Sequence, residues 1–200
     1  MAALLALLAG YLSGSVPIGL MIGRVHGVDL RARGSGRIGA TNALRTLGPR
    51  TALWVFLGDI LKAAAPVVLF RLLFPNEPAA EVAAALGAVV GHNWPIFIGF
   101  RGGRGVSTGL GTVLVMSLPA AAIGLAIFGI ILVATRYVSL GSILGVSGAG
   151  ALLVLLAVTG AAPAAYGVYG VLCAALIVVQ HRDNIQRLLA GNERRIGKAE

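Results

Sequence analysis

Between residues 31 and 45 the chain sets Gly34, Gly36 and Gly39 among Ser35, Thr41, Asn42 and the arginines Arg31, Arg33, Arg37 and Arg45. Glycine lets a backbone turn through positive φ and approach a ligand closely, the hydroxyls and the amide offer neutral hydrogen bonds, and the guanidiniums supply charge. That mixture suits a phosphate group. A basic loop of this kind also serves as a plain anchor on anionic lipid headgroups. A second stretch weighs toward phosphate: Arg101 and Arg104 flank Gly102 and Gly103, and Gly105, Ser107 and Thr108 follow just before an apolar segment. Amides at a helix start can there join two guanidiniums around an anion. A third block closes the chain, with His181, Asn184 and Arg187 at i, i+3 and i+6, a spacing that keeps the first two adjacent on a helix face and extends the face toward the third. Ser139 and Ser142, just after Arg136 and Tyr137, offer two more hydroxyls, equally suited to phosphate donation and to helix capping. The blocks hold no obvious Ser-His-Asp set and no paired carboxylates.

The elements that must carry these loops are apolar. Of 200 residues 58% are hydrophobic and only 12% charged, with a mean hydropathy of +0.91; soluble domains are about one quarter charged. The chain reads as an all-α integral membrane protein in one compact domain over 1–200, with spans at about 1–23, 51–74, 82–97, 107–118, 120–134, 140–158 and 165–179. Spans four and five fall short of ideal length, which favours tilt or local thinning of the bilayer. The first apolar stretch lacks a basic leader and reads as a retained span. Pro17 should kink it, and Gly10, Gly14, Gly19 and Gly23 should give it a close-packing face. Residues 39–46 suit a short helix, and Ile185, Leu188 and Leu189 suit an amphipathic one at the inner interface. Asp59 and Lys62, three residues apart within span two, are expected to pair as a structural ion pair. Trp94 and Phe100 suit an interfacial aromatic belt, while His92 is equally a ligand or a helix-end hydrogen bonder. Cys173, the sole cysteine, allows no disulfide within the chain.

The net charge of +9 is explained by membrane topology better than by nucleic acid, because the basic residues sit in short loops between spans. All of the Lys and Arg residues except Lys62 and Arg71 fall in loops that the positive-inside bias places in the cytoplasm. Seven transmembrane helices, the N-terminus outside, the C-terminus cytoplasmic and the motif loops short and cytoplasmic, fit that pattern.

Taken together, Gly34-Ser-Gly-Arg-Ile-Gly-Ala-Thr-Asn42, Gly91-His-Asn-Trp-Pro95 with Arg101-Gly-Gly-Arg-Gly-Val-Ser-Thr108, and His181-Arg-Asp-Asn-Ile-Gln-Arg-Leu-Leu-Ala-Gly-Asn-Glu193 resemble the membrane-integral bacterial acyl-phosphate:glycerol-3-phosphate acyltransferase family. Gly58-Asp-Ile-Leu-Lys62 and Ser139-Leu-Gly-Ser142 extend the resemblance over essentially the whole chain. The resemblance implies transfer of a fatty acyl group from acyl phosphate to the 1-position of glycerol 3-phosphate, the first step of phospholipid synthesis, with no metal or nucleotide cofactor. It implies catalytic roles for Ser35, Arg45, Arg104, His181 and Asn184. Gly34, Gly36, Thr41, Asn42, Arg101, Gly102, Gly103, Ser139 and Ser142 are the implied substrate-binding positions. The implied partners are acyl phosphate, glycerol 3-phosphate and membrane lipids, with no nucleic acid, together with an interaction with the enzyme that makes acyl phosphate. The implied location is the bacterial inner membrane, multi-pass, with the active site on the cytoplasmic face. The chain departs from the family pattern at Arg37, where Asn is common, and at Arg101 and Arg104, where lysines are common; a guanidinium grips phosphate as a fork, an ammonium as a mobile point charge. The rival readings are a membrane transporter of small phosphorylated anions and a non-catalytic lipid-binding scaffold. A transporter should hold its polar groups near the midplane and often shows related halves; this chain clusters them at one face.

Cysteines placed singly at Arg37 and at Asn192 are expected to label only from the cytoplasmic side of sealed vesicles. Labelling of either from outside would overturn the topology.

Overall fold

The computed structural model describes residues 1–197. It forms ten α-helices and two short 3-10 turns, with no strand among the described residues. The chain divides into two compact units, Met1–Val115 and Met116–Glu200.

In the first unit, α1 (Ala2–Ser15) and α2 (Ile18–Val25) form one apolar stretch broken at Val16 and Pro17. A residue before proline is pushed out of helical geometry, and Val16 is extended at φ −60°, ψ 116°. After α3 (Ala40–Leu47) comes α4 (Pro49–Leu73), then α5 (Pro78–Asn93) and α6 (Val106–Met116). α1 packs on α5 through glycines from both sides: side chains at Gly10 and Gly14 would run into the backbone of Ala84 and Ala88, and side chains at Gly87 and Gly91 into that of Leu7 and Tyr11. Lipid tails are as apolar as leucine, so helices in a membrane associate where small residues let their backbones close in. Arg71 at the end of α4 donates from Nε to Oε2 of the buried Glu81 at 2.9 Å, tying a base at one helix C-terminus to an acid at the next N-terminus.

Two breaks in this unit repair each other. Pro66 lies inside α4 and has no N–H, so the carbonyl four residues earlier, that of Lys62, loses its helical partner. The Ser13 hydroxyl donates to that carbonyl at 2.6 Å. At the α1–α2 break the Val16 carbonyl in turn accepts from Lys62 Nζ at 2.8 Å. The expected Asp59–Lys62 pair is present at 2.8 Å.

In the second unit, α7 (Leu118–Thr135), α8 (Val138–Val158) and α9 (Ala164–Gln180) pack in sequence, and α10 (Arg182–Leu189) turns off α9 by 61°. α8 is flanked by reciprocal glycine contacts, Gly145 with Gly124 of α7 and Gly150 with Gly170 of α9. Outward faces are leucine-rich, with Leu72 at 73% and Val158 at 80% exposure, the inverse of a water-soluble surface and suited to lipid.

Among the described residues five helical segments are long and apolar enough to cross a membrane, or six when the bent pair α9–α10 counts as one. The seventh expected span, α6, has 11 residues. At 1.5 Å per residue that is about 16 Å, roughly half a hydrocarbon core. The chain is thus an all-helical, multi-pass membrane protein.

Replacing Ser13 by alanine leaves the Lys62 carbonyl without a donor in an apolar interior. Ser13→Ala is expected to lose about 1–3 kcal/mol in thermal unfolding of the detergent-solubilised protein, and Ser13→Thr to lose much less. Equal stability of wild type and Ser13→Ala would contradict the repair.

Candidate active site

The first polar block is shaped by one amide. Asn42, buried in the first turn of α3, donates from Nδ2 to the carbonyls of Leu30 (2.9 Å), Arg33 (3.1 Å) and Arg37 (2.7 Å), and its Oδ1 accepts the Ser35 N–H at 2.9 Å. Two amide hydrogens spread over three carbonyls leave none for a ligand, so Asn42 moulds the loop. Gly34 and Gly36 take positive φ, 55° and 69°, and a Cβ on Gly34 would strike Asn42 Oδ1. Gly39 does not turn as expected: it is extended at φ −81°, ψ 169° and its carbonyl takes the first amides of α3. Leu30 and Ala43 anchor the loop in a core with Ala52 and Val55.

The result presents a half-buried Ser35 whose hydroxyl has no hydrogen-bond partner among the described residues. It stands near the uncapped start of α3, where amides precede the first helical bond. Thr41 lies half-buried in that first turn and Arg45 is exposed on the last. Arg31 is already engaged, its Nη2 2.7 Å from Asp29 Oδ2. Hydrogen bonds from the Arg31 side chain and backbone hold the Asp29 carboxyl down at about 2.

The second block folds back over the end of α5. The Gly102 N–H donates to the Asn93 carbonyl (3.2 Å) and the Gly103 N–H to that of His92 (3.0 Å). Phe100, just before the turn, is held left-handed at φ 61°, a strained state for a bulky residue. Side chains at Gly102 and Gly103 would collide with the His92 carbonyl and the His92 ring. Arg101 is exposed and Arg104 half-buried on either side. His92 Nδ1 lies 3.0 Å from Lys62 Nζ, so its side chain is tied to the interior. Asn93, which sequence reasoning passed over, is buried next to Gly105 with neither amide atom hydrogen-bonded among the described residues.

The third block, with Ser139 and Ser142, lies in the second unit. His181 Nδ1 is 2.8 Å from the Ile177 carbonyl; a carbonyl only accepts, so the ring hydrogen is on Nδ1 and Nε2 is the basic nitrogen. Glu193, quoted in the motif but given no role from sequence, is the hub. Its Oε1 accepts from Asn184 Nδ2 at 2.6 Å and Ser139 Oγ at 2.8 Å, and its Oε2 from Arg187 Nε at 2.8 Å. Asn184 is thereby oriented with Oδ1 buried and unpartnered among the described residues. Ser142 donates to the Val138 carbonyl at 2.8 Å, so both serines direct their hydrogens inward. The sequence signal for Glu193 was no more than an acid in a basic tail. The tail is held in place by the Ile196 N–H on the Arg136 carbonyl (2.9 Å) and by Arg195 over the Tyr137 ring (5.0 Å).

Burial alone would raise the Glu193 pKa, but the hydrogen bonds from Asn184, Ser139 and Arg187 and the charge of Arg187 outweigh it and hold the carboxyl below its ordinary value. A carboxyl depressed by folding stabilises the protein above its unfolded pKa of about 4.3, and that contribution is lost as pH falls through the lower folded value. Glu193→Gln is therefore expected to be less stable than wild type at pH 7, with the gap closing in acid. A gap of constant size from neutral pH down to pH 3 would refute this.

The chain resembles known proteins over nearly its whole length. The family model described as glycerol-3-phosphate acyltransferase matches residues 4–191. A glycerol-3-phosphate acyltransferase of Anaeromyxobacter sp. (strain Fw109-5) is 46% identical over 192 residues, covering 94% of this chain and 93% of that protein. Glycerol-3-phosphate acyltransferase 3 of Dehalococcoides mccartyi (strain CBDB1) is 42% identical over 207 residues, covering 98% and 96%. The crystal structure of PlsY (YgiH), an integral membrane glycerol 3-phosphate acyltransferase, matches in its glycerol 3-phosphate form with a TM-score of 0.90 at 37% identity, covering 98% of this chain and 96% of that one. Its lysophosphatidic acid form matches with a TM-score of 0.89 at 36% identity, with the same coverage. The match takes in the first two polar blocks and most of the third, and the chain belongs to the glycerol-3-phosphate acyltransferase family.

Proposed function

We propose that the protein transfers a fatty acyl group from acyl phosphate to the 1-hydroxyl of glycerol 3-phosphate, releasing lysophosphatidic acid and inorganic phosphate. The observation that carries this reading is the Asn42-moulded loop, which offers an unengaged Ser35 hydroxyl beside helix-start amides in a basic setting. Such a loop suits the phosphate end of an acyl donor. The two forms named for the solved PlsY structure correspond to the acceptor and to its acylated product. Carried over by motif, Arg45 and Arg104 serve the acceptor phosphate, and His181 and Asn184 serve its hydroxyl end. Both units act as one acyltransferase domain.

Acyl phosphate is a mixed anhydride with a good leaving group. The acceptor hydroxyl oxygen attacks the acyl carbon, the carbon–oxygen bond to phosphate breaks, and phosphate leaves with the bonding pair. The hydroxyl proton passes to the departing phosphate or to His181 Nε2. Alignment and charge stabilisation carry such a step. Ser35 does not act as a nucleophile, because a serine nucleophile needs an adjacent base held by a third group and no histidine or carboxylate hydrogen-bonds Ser35 among the described residues.

The basic loops favour an inner-membrane protein with seven spans, the N-terminus outside and the site cytoplasmic. For Arg136 and the tail arginines to share a side with Arg101 and Arg104, the short α6 must carry the chain across, through a thinned bilayer. A transporter is less favoured because the buried Lys62 is held by protein groups, hydrogen-bonded to the Val16 carbonyl and His92 and ion-paired with Asp59.

Purified protein given both substrates is expected to form lysophosphatidate. Arg45→Ala and Arg104→Ala should each weaken use of glycerol 3-phosphate by about 1.5–3 kcal/mol, the worth of a charge-assisted contact, while Ser35→Ala impairs the acyl-phosphate step. With acyl phosphate alone, wild type should show neither a stoichiometric phosphate burst nor a mass increase of one acyl group. An acyl adduct absent from Ser35→Ala and discharged by glycerol 3-phosphate would make Ser35 the nucleophile and overturn direct transfer.

A further inference from the structure

The reaction above gives no role to Asp59, Lys62 and His92, which are 1%, 8% and 2% exposed. Lys62 Nζ lies 2.8 Å from Asp59 Oδ1, 2.8 Å from the Val16 carbonyl and 3.0 Å from His92 Nδ1. An ammonium donates and never accepts, so Nζ gives hydrogen bonds to the Val16 carbonyl and to His92 Nδ1, with Asp59 beside it as an ion pair. Asp59 Oδ1 is also 3.5 Å from His92 Nδ1, but the nearer neighbour is a pure donor. Nδ1 therefore accepts, and the ring N–H is on Nε2.

That Nε2 edge faces the glycine turn. A Cβ on Gly103 would fall on Nε2, and one on Gly102 would strike the His92 carbonyl. The same carbonyl takes the Gly103 N–H. His92 thus supports the turn twice, by backbone and by ring, and the ring is fixed from below by Lys62.

We propose that Asp59, Lys62 and His92 are positioning residues for the Gly102–Gly103 turn. Lys62, held by Asp59 and Val16, locks the His92 ring, and the ring edge sets the height of the turn between Arg101 and Arg104 where substrate phosphate binds. The inference rests on reading that turn as part of the glycerol 3-phosphate site. None of the three touches substrate, so the effect should fall on one substrate's binding and spare the other's. A merely structural ion pair would instead move stability and both substrates together.

The test is steady-state kinetics of the full-length purified enzyme with each substrate varied in turn, alongside thermal unfolding. Two variants are used. His92→Asn keeps an acceptor for Lys62 near the Nδ1 position and removes the ring edge. Asp59→Asn/Lys62→Met removes the lock while leaving no unpaired charge behind, the costly outcome of deleting one partner of a buried pair. Both are expected to raise KM for glycerol 3-phosphate at least tenfold and to leave KM for acyl phosphate within twofold. Unchanged KM for glycerol 3-phosphate in both, equal rises for the two substrates, or failure of both variants to fold would overturn the proposal. Wild type that forms no lysophosphatidate would remove the functional reading and this inference with it, whereas active wild type with indifferent variants removes the inference alone.

Discussion

Inside a bilayer no water waits to satisfy a stranded polar group, and each such group costs several kcal/mol. The contacts of Lys62 answer that constraint. Two prolines break the helical bonding of the first unit, Pro17 between α1 and α2 and Pro66 within α4. The carbonyls they affect belong to Val16 and Lys62, and each is met by a side chain of the other segment. A charge is tolerable here because Asp59 neutralises it and because it does structural bonding in three directions. The close seating of α1 on α5, made possible by Gly10, Gly14, Gly87 and Gly91, brings the break within reach of α4.

The polar loops follow the same logic with a different hub in each. In the first, Asn42 spends its amide on three carbonyls and one N–H. In the second, the end of α5 collects two glycine amides on the carbonyls of His92 and Asn93. In the third, the Glu193 carboxylate gathers Asn184, Ser139 and Arg187. Each hub leaves particular atoms uncommitted beside it: the Ser35 hydroxyl in the first, the Asn93 amide in the second, Asn184 Oδ1 in the third. Separating the groups that hold a loop from those that face outward is how a site gains preorganisation, since the donors need not reorganise when substrate arrives.

Much of this was legible in the sequence. The apolar segments, the break at Pro17, the Asp59–Lys62 pair, the helix after Gly39 and the glycine packing of α1 all follow from local pattern and residue type. What local pattern misses is direction. Asn42 as a donor to a ligand and Asn42 as a donor to Leu30, Arg33 and Arg37 are the same residue in the same motif, and only the loop's path separates them. Glu193 was one acid among arginines until Ser139, 54 positions away, turned toward it. The contact between Lys62 and His92 spans 30 positions and two helices, beyond any periodicity. Gly39 was misread because a glycine before a helix serves either as a turn or as a cap. The sequence division of the apolar run into 107–118 and 120–134 matches two helices, α6 and α7, parted where Ser117 caps α7; α6, with 11 residues, is shorter than a span of ideal length.

The third block bears on how little acid–base machinery this chemistry needs. His181 gives its Nδ1 hydrogen to the Ile177 carbonyl, which fixes the tautomer with Nε2 basic. That is the orientation a general base requires, and a triad fixes it with a carboxylate. A carbonyl orients the ring as well but adds no negative charge to stabilise an imidazolium. Glu193, buried in the same block, is bonded to Asn184, Ser139 and Arg187. In the proposed transfer from acyl phosphate the departing phosphate is itself a competent proton acceptor, and a histidine that aims the acceptor hydroxyl at the acyl carbon would supply alignment, the larger part of what such a step lacks.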